Sequence, residues 1–414
     1  MGADPLLAEH VGLVEVLIVL LKVVVAFAVM MLSVLVAIWA ERKVIADMQN
    51  RIGPNRAGPF GLLQSLADGI KLFFKEDLIP ERSDRFLFKL APYLSLVPAF
   101  LTFTIIPVGG VVDLFGHRTE LQVADPPIGI LLLLAMSSIS VYGVMLAGWS
   151  SGSKYPLIGS VRASAQMISY EAAMGLSIAT VVLVSGSLST RDMVTQQLGT
   201  YLGFIPHWNI IRLGVIPFLI FIVAITAEVN RPPFDLVEAE QELVGGFHTE
   251  YSSIRFALFY LAEYLNTITM SAIMVTMFFG GPDGPDPRFL HWLWPIVWFL
   301  LKTSIFFVIY VWFRAALPRL RYDQLMDLGW KVLIPVSLLW LLVVAGMRVS
   351  RLLGFAILVV GILAAAVLLR AIDVGKLRRG RAAPAVLPDI ADLWLLESAS
   401  GAAELEEGSD DGRA

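Results

Sequence analysis

Long apolar stretches separated by short polar ones dominate this chain. Nine of them approach bilayer-spanning length, at roughly 12–39, 92–112, 127–149, 163–186, 210–228, 253–279, 291–314, 331–346 and 352–370. About 20 apolar residues in a helix cross a hydrocarbon core of about 30 Å. All nine are continuous rather than alternating by face, which argues against barrel strands and predicts helices. The fold class that follows is an all-α integral membrane protein of about nine transmembrane helices. The last two stretches stand closest together, parted only by Gly346-Met-Arg-Val-Ser-Arg351.

One segment between the first two stretches has a different period. Leu62, Leu63, Leu66, Ile70, Phe73 and Phe74 fall on one helical face, with Asp68, Lys71 and Lys75 opposite. Such an amphipathic helix is too polar to span and apolar enough to lie in the membrane interface. The Gly53-Pro-Asn-Arg-Ala-Gly-Pro59 run before it forces a specific turn, which loose anchoring to lipid does not need.

Composition agrees with a membrane protein. Hydrophobic residues make up 57% of the chain, mean hydropathy is +0.75, and charged residues are 16%, where a soluble domain has about 25%. Met1 to His10 has no basic region of the kind that opens a cleavable signal peptide. The chain has no cysteine, which excludes thiolate-held iron–sulfur clusters and cysteine zinc sites within it. Its five histidines lack ligand spacing, and no nucleotide-binding glycine pattern opens a helix. Electrons for any redox chemistry must come from a partner.

Charge orients the chain. The loop from Glu41 to Leu90 is rich in Lys and Arg, and the loop after the seventh stretch adds Arg314, Arg319, Arg321 and Lys331. The loops at 113–126, 187–209 and 280–290 carry a single Lys or Arg each. The positive-inside rule then puts the N-terminus outside. A ninth span puts Lys376, Arg378, Arg379 and Arg381 in the cytoplasm. Residues 387–396 read as a short interfacial helix, and the acidic residues 397–414 as disordered.

Two polar runs, 41–76 and 227–251, concentrate the candidate chemistry. An ionisable group costs roughly 2.5 to 3.5 kcal/mol at the centre of a membrane helix, so clusters at the membrane edge are functional candidates. Glu228, Asp235, Glu238, Glu240, Glu242 and Glu250 crowd the second run around Arg231. Like charges so close cannot all ionise and titrate as a coupled set, as a proton relay requires. The interleaved Phe234, Leu236, Val237, Leu243, Val244 and Phe247 argue for burial. Glu171 and Glu263 lie inside spans, and Glu15 and Lys22 share one face of the first. Any one of these carboxylates suits a satisfied ion pair; several on one side are better explained as a path for protons. The guanidinium groups of Arg42, Arg51 and Arg56 suit phosphate and a carboxylate-rich partner equally.

These residues resemble the family of H subunits of bacterial NADH:quinone oxidoreductase, counterparts of membrane subunit 1 of mitochondrial respiratory complex I. The resemblance covers about residues 12–346. It rests on Glu41-Arg-Lys, Arg51-Ile-Gly-Pro-Asn-Arg56, Gln64 to Asp68, Lys71-Leu-Phe-Phe-Lys-Glu76, Ile168-Ser-Tyr-Glu171, Ala227 to Leu236, Glu240-Gln-Glu-Leu-Val-Gly-Gly246 and Arg321-Tyr-Asp-Gln-Leu-Met326. It implies an eight-span core over 1–346, with an extra span at 347–375 and a basic-then-acidic cytoplasmic tail at 376–414 as departures.

The same resemblance implies a subunit of a proton-translocating enzyme in the bacterial plasma membrane, without a redox centre of its own. Quinone, either menaquinone or ubiquinone, would be the substrate; FMN and iron–sulfur clusters would belong to partners. Those partners would be an iron–sulfur subunit with the terminal cluster, a subunit binding the quinone headgroup, small membrane subunits and antiporter-like subunits, amid membrane lipid. No metal and no nucleic acid is implied. By position, Arg42, Arg51, Asp68, Lys71 and Arg231 would line or brace the quinone tunnel. Glu228, Asp235, Glu238, Glu240 and Glu242 would form a coupling loop with Arg231, and Glu171 and Glu263 would carry protons inward. Glu41 and Glu76 match the motifs and suit structural ion pairs equally.

Three rival readings stay open. A homologous subunit of a membrane-bound hydrogenase or other ion-pumping dehydrogenase would differ in the electron-input module; the long GPN loop and amphipathic helix favour quinone. A stand-alone secondary ion transporter would show inverted repeats and broken helices, and the halves show no repeat. A purely structural anchor would leave Glu171 and Glu263 unexplained.

Overall fold

The computed structural model describes residues 6, 12–114, 116–201, 205–235, 244–285 and 290–381. In chain order its main helices are α1 (Leu13–Met48), α2 (Gln64–Phe74), α3 (Arg85–Phe103), α4 (Gly129–Ser150), α5 (Lys154–Ser185), α6 (Val215–Glu228), α7 (Ser253–Phe278), α8 (Trp294–Ala316), α9 (Tyr322–Val349) and α10 (Arg351–Arg381). Among the described residues, seven are long and apolar enough to cross a membrane: α1, α3, α4, α5, α7, α8 and α9. The other two expected spans, 210–228 and 352–370, correspond to shorter apolar helices, Val215–Glu228 and Arg351–Val367. The chain is an all-α integral membrane protein. Two small antiparallel hairpins interrupt the helices: β1–β2 (Val111–Leu114 with His117–Glu120) and β3–β4 (Thr200–Tyr201 with Ile205–Pro206).

The helices overrun the apolar stretches where polar residues find partners. At 36 residues, α1 is about 54 Å long, well beyond a hydrocarbon core of about 30 Å. It continues past the expected end at 39 because Glu41 and Arg42 in its last turns are paired by other elements. Helix α5 starts at Lys154 rather than 163, since Gly159, Ser160 and Ser164 give its first turns a small, buried surface. Helix α3 starts at Arg85, capped by Asp84, whose side chain accepts from the Phe86 and Leu87 amides. By contrast α6, at 14 residues, covers only about 21 Å and stops inside the protein at Glu228.

Small residues bring the helices close, as membrane packing requires. A Cβ on Gly143 of α4 would sit 2.8 Å from the Ser95 amide of α3. One on Gly148 would sit 2.4 Å from the Pro156 carbonyl of α5. The core they enclose is centred on Tyr170, Phe221, Met274 and Phe278. Helix α10 packs on α9 through Gly346, Gly354 and Gly361.

Both polar runs gather at one end of the bundle. Leu78 N donates to Ser252 Oγ at 3.0 Å, Ser253 Oγ to the Lys75 carbonyl at 2.7 Å, and Leu320 N to the Pro233 carbonyl at 2.9 Å. At the other end Gln197 and Asn209 donate to the Thr276 and Met277 carbonyls, closing the end of α7.

The glycine contacts set a contrast that thermal unfolding of the purified protein can read. Gly148→Leu should prevent α4 from meeting α5 and sharply lower both the membrane-extracted yield and Tm. Gly69→Ala in α2, where a Cβ would meet nothing within 4 Å, should leave both intact or gain up to about 1 kcal/mol.

Candidate functional site

Arg231 is the centre of the polar end. Only 3% of it is exposed, a costly place for a guanidinium unless its charge is matched. Its Nη1 lies 3.3 Å from Glu41 Oε2 of α1, and its Nε 3.1 Å from Glu263 Oε1 of α7. Glu41 also pairs with Arg314 near the end of α8. Two carboxylates therefore face two guanidinium groups, and the cluster sums to zero. The Arg231 guanidinium also stands 4.5 Å over the ring of Tyr264, whose hydroxyl lies 3.1 Å from that of Tyr260.

At the same end of the bundle the first-loop helix joins this cluster. Arg42, next to Glu41, donates to Asp68 Oδ2 of α2 at 2.6 Å, and Lys71 approaches Asp68 Oδ1 at 3.3 Å. Burial alone would raise the Asp68 carboxyl; Arg42 and then Lys71 outweigh it and hold it below the usual carboxylate range. The apolar face of α2 is turned outward, with Ile70, Phe73 and Phe74 exposed, as an interfacial helix demands. Arg51 stays exposed and donates to Gln49, so the structure does not bring it to Asp68.

Deeper in lies a small cavity lined by Ser137, Glu228, Asn230, Asp235, His248, Glu263 and Asn266. Glu228, at the inner end of α6, accepts a hydrogen bond from Ser137; its Oε2 has no partner among the described residues. The next residue of α4, Ser138, donates to Glu171 of α5. Two adjacent hydroxyls on one helix thus hold carboxylates from two others. Asp235 pairs with Arg319 at 2.9 Å. His248 packs against Phe247, Phe256 and Phe259, and burial pushes its imidazole down to about 4, which keeps it neutral near pH 7.

The loop after α6 is pinned from within. Gln166 of α5, fully buried, donates from Nε2 to the Ala227 carbonyl at 2.7 Å and the Phe234 carbonyl at 2.8 Å. One amide thereby ties both ends of the Arg231 turn to the helix that carries Glu171. Tyr170, beside Glu171, donates to the Leu325 carbonyl of α9 at 2.9 Å.

The geometry revises the sequence reading of the second run. Among the described residues Arg231 pairs with Glu41 and Glu263, and Asp235 with Arg319. Both partnerships span many residues, which local spacing cannot reveal. Glu238, Glu240 and Glu242 lie outside the described residues. Sequence reasoning missed Ser137, Ser138, Gln166 and His248, and it took Arg314 and Arg319 only as orientation signals. The available hint was polarity inside apolar helices: a Ser-Ser pair in α4 and a glutamine five residues before Glu171.

A sequence profile of the NADH dehydrogenase family matches residues 21–345. The H subunit of an NADH-quinone oxidoreductase from Frankia alni is 54% identical over 338 residues, covering 80% of this chain and 73% of the relative. The Frankia casuarinae protein of the same name is 52% identical over 376 residues, covering 88% of this chain and 81% of its own length. That of Streptomyces avermitilis is 52% identical over 342 residues, covering 80% and 74%. The family match stops short of α10.

Removing a single partner should expose how tightly the cluster is balanced. Arg231→Met leaves Glu41 and Glu263 without their shared cation and should cost on the order of 3 to 5 kcal/mol, read as a loss of folded protein in detergent. Gln166→Leu, nearly isosteric, should unpin the loop and increase hydrogen–deuterium exchange at 229–235, with the rest of α5 unchanged.

Proposed function

We propose that the chain, which belongs to the NADH dehydrogenase family, is the membrane subunit of a proton-translocating NADH:quinone oxidoreductase that admits quinone and starts the relay coupling its reduction to proton movement. It is a subunit of an enzyme complex, working with other subunits of that complex. The observation that supports the relay is a nearly continuous series of ionisable groups. It runs from Asp68–Arg42 to Glu41–Arg231–Glu263, across the cavity, to Glu228–Ser137 and Ser138–Glu171.

In this reading the polar end faces the cytoplasm of a bacterial cell, the N-terminus lies outside, and a partner supplies electrons from its iron–sulfur cluster. Helix α2 floors the tunnel by which menaquinone or ubiquinone arrives, with Arg42, Asp68 and Lys71 at its mouth. Arg51 lies at the exposed edge of that mouth. Quinone reduction consumes two protons and transiently adds negative charge. In a low-dielectric interior that charge acts strongly on nearby groups, and it competes with Glu41 and Glu263 for Arg231. A carboxylate released from Arg231 accepts a proton, and the cavity passes protons on to Glu228 and Glu171. Asp235 with Arg319, and by resemblance Glu238, Glu240 and Glu242, let the loop shift as charge moves. Helix α10 and the tail beyond it are additions to this core.

Two variants test the proposal. Glu171→Gln should lower proton pumping and quinone reductase rate together, by tenfold or more, in a complex that still assembles; normal pumping per electron would rule out its relay role. Asp68→Asn should reduce quinone turnover while NADH oxidation by an artificial acceptor persists, and equal loss of both would point to failed assembly. The Asp68 pair carries a pH signature as well. Because its folded carboxyl sits below the usual range, its contribution is present above that range and lost as pH falls through the lowered value. Asp68→Asn should therefore flatten the acid limb of the stability profile, measured as Tm against pH.

A further inference from the structure

A cleft on the opposite half of the molecule from the Arg231 cluster takes no part in that reading. It lies between α1, α7 and α8 beside the β1–β2 hairpin, and about 1100 Å³ of empty space, part of it open to the surroundings, lies along it. Val25, Val29 and Leu300 line it while remaining about half exposed, so it opens sideways toward the bilayer. Its charged lining residue is Lys22, at the hairpin end, where the ammonium donates to Thr119 Oγ1 at 2.9 Å.

Length decides what fits. From Lys22 to Ser33 the α1 wall of the cleft runs about 16 Å, or half of a hydrocarbon core of about 30 Å. The cleft is one leaflet deep; a partner's transmembrane helix would need a groove twice as long. The level of Lys22 is also that of the membrane interface. Ile296 lines the same cleft and stands among Trp292, Trp294 and Trp298, and tryptophans concentrate at that depth. The neighbouring hairpin charges form pairs of their own, His117 with Glu15 at 3.6 Å, Arg118 with Asp113 at 3.5 Å and Glu120 with Arg191.

We propose that this cleft binds an anionic phospholipid of the hairpin-side leaflet, with an acyl chain along α1 and the phosphate at Lys22. The lysine stem lies on apolar wall while its ammonium reaches the headgroup level.

The test reconstitutes the intact complex in phosphatidylcholine vesicles doped with phosphatidylglycerol or phosphatidylcholine carrying a photoactivatable acyl chain, and maps crosslinks by peptide mass spectrometry. Phosphatidylglycerol should label 25–33 and 296–303 in preference to phosphatidylcholine. Lys22→Arg should keep that preference. Lys22→Gln should lower it about fivefold, equivalent to about 1 kcal/mol for a lysine near a membrane surface. Labelling of the exposed α10 face at Leu352 and Phe355 controls for assembly of each variant. Equal labelling by both headgroups, no response to Lys22→Gln, or a cleft left unlabelled because a partner helix or quinone tail fills it would overturn the assignment.

Discussion

A buried guanidinium that must be neutralised organises this molecule. Arg231 sits in a turn that only α6 and the following loop could place, yet its counter-charges come from the last turns of α1 and the middle of α7. Glu41 in turn reaches Arg314 on α8. Four separate segments are held in register because none can move without leaving a charge unmatched in a poorly solvated place. The same requirement explains why α1 stays helical through Glu41 and Arg42, well past its apolar stretch. Charge pairing here does what apolar packing does elsewhere, since lipid gives helices little hydrophobic reason to associate.

The shortness of α6 gives that arrangement its use. A helix that crossed completely would carry Glu228 out to solvent; one of about 21 Å leaves the carboxylate facing a cavity. Ser137 and Ser138, one residue apart, then hold two carboxylates on neighbouring faces of α4. Gln166 fixes the exit of α6 without adding charge. The resting site is thus neutral at Arg231 and pinned by a neutral amide, so a new negative charge nearby is a large perturbation on a quiet background.

Much of the fold was legible in the sequence because bilayer crossing imposes a coarse and unmistakable pattern. The amphipathic helix was equally plain, with Leu66, Ile70 and Phe73 on one face and Asp68 and Lys71 on the other. The limits of α1, α5 and α6 were not, since each is set by tertiary partners rather than by local hydropathy. The site was legible as a list of ionisable residues and illegible as a set of pairs. Arg231 looked like the counter-ion of its own acidic loop, and only the assembled bundle shows it spent on Glu41 and Glu263. Hydroxyl and amide residues such as Ser137 and Gln166 gave only a faint signal, their polarity within apolar helices, because a serine in a membrane helix often bonds its own backbone and means nothing more.

The two ends of α1 show how one helix serves both halves of the molecule. Its length of about 54 Å exceeds the bilayer core by some 24 Å, and neither end can hang unsupported in water with an apolar surface. At one end the excess is taken up by Glu41 and Arg42, which bind the cluster and α2. At the other, Glu15 and Lys22 meet His117 and Thr119 of the hairpin. The stretch between Lys22 and Glu41 is 19 steps, about 28 Å, which is the thickness of the hydrocarbon itself. The polar contacts therefore fix where α1 sits across the membrane, and with it the depth of both the cavity on one side and the apolar cleft on the other.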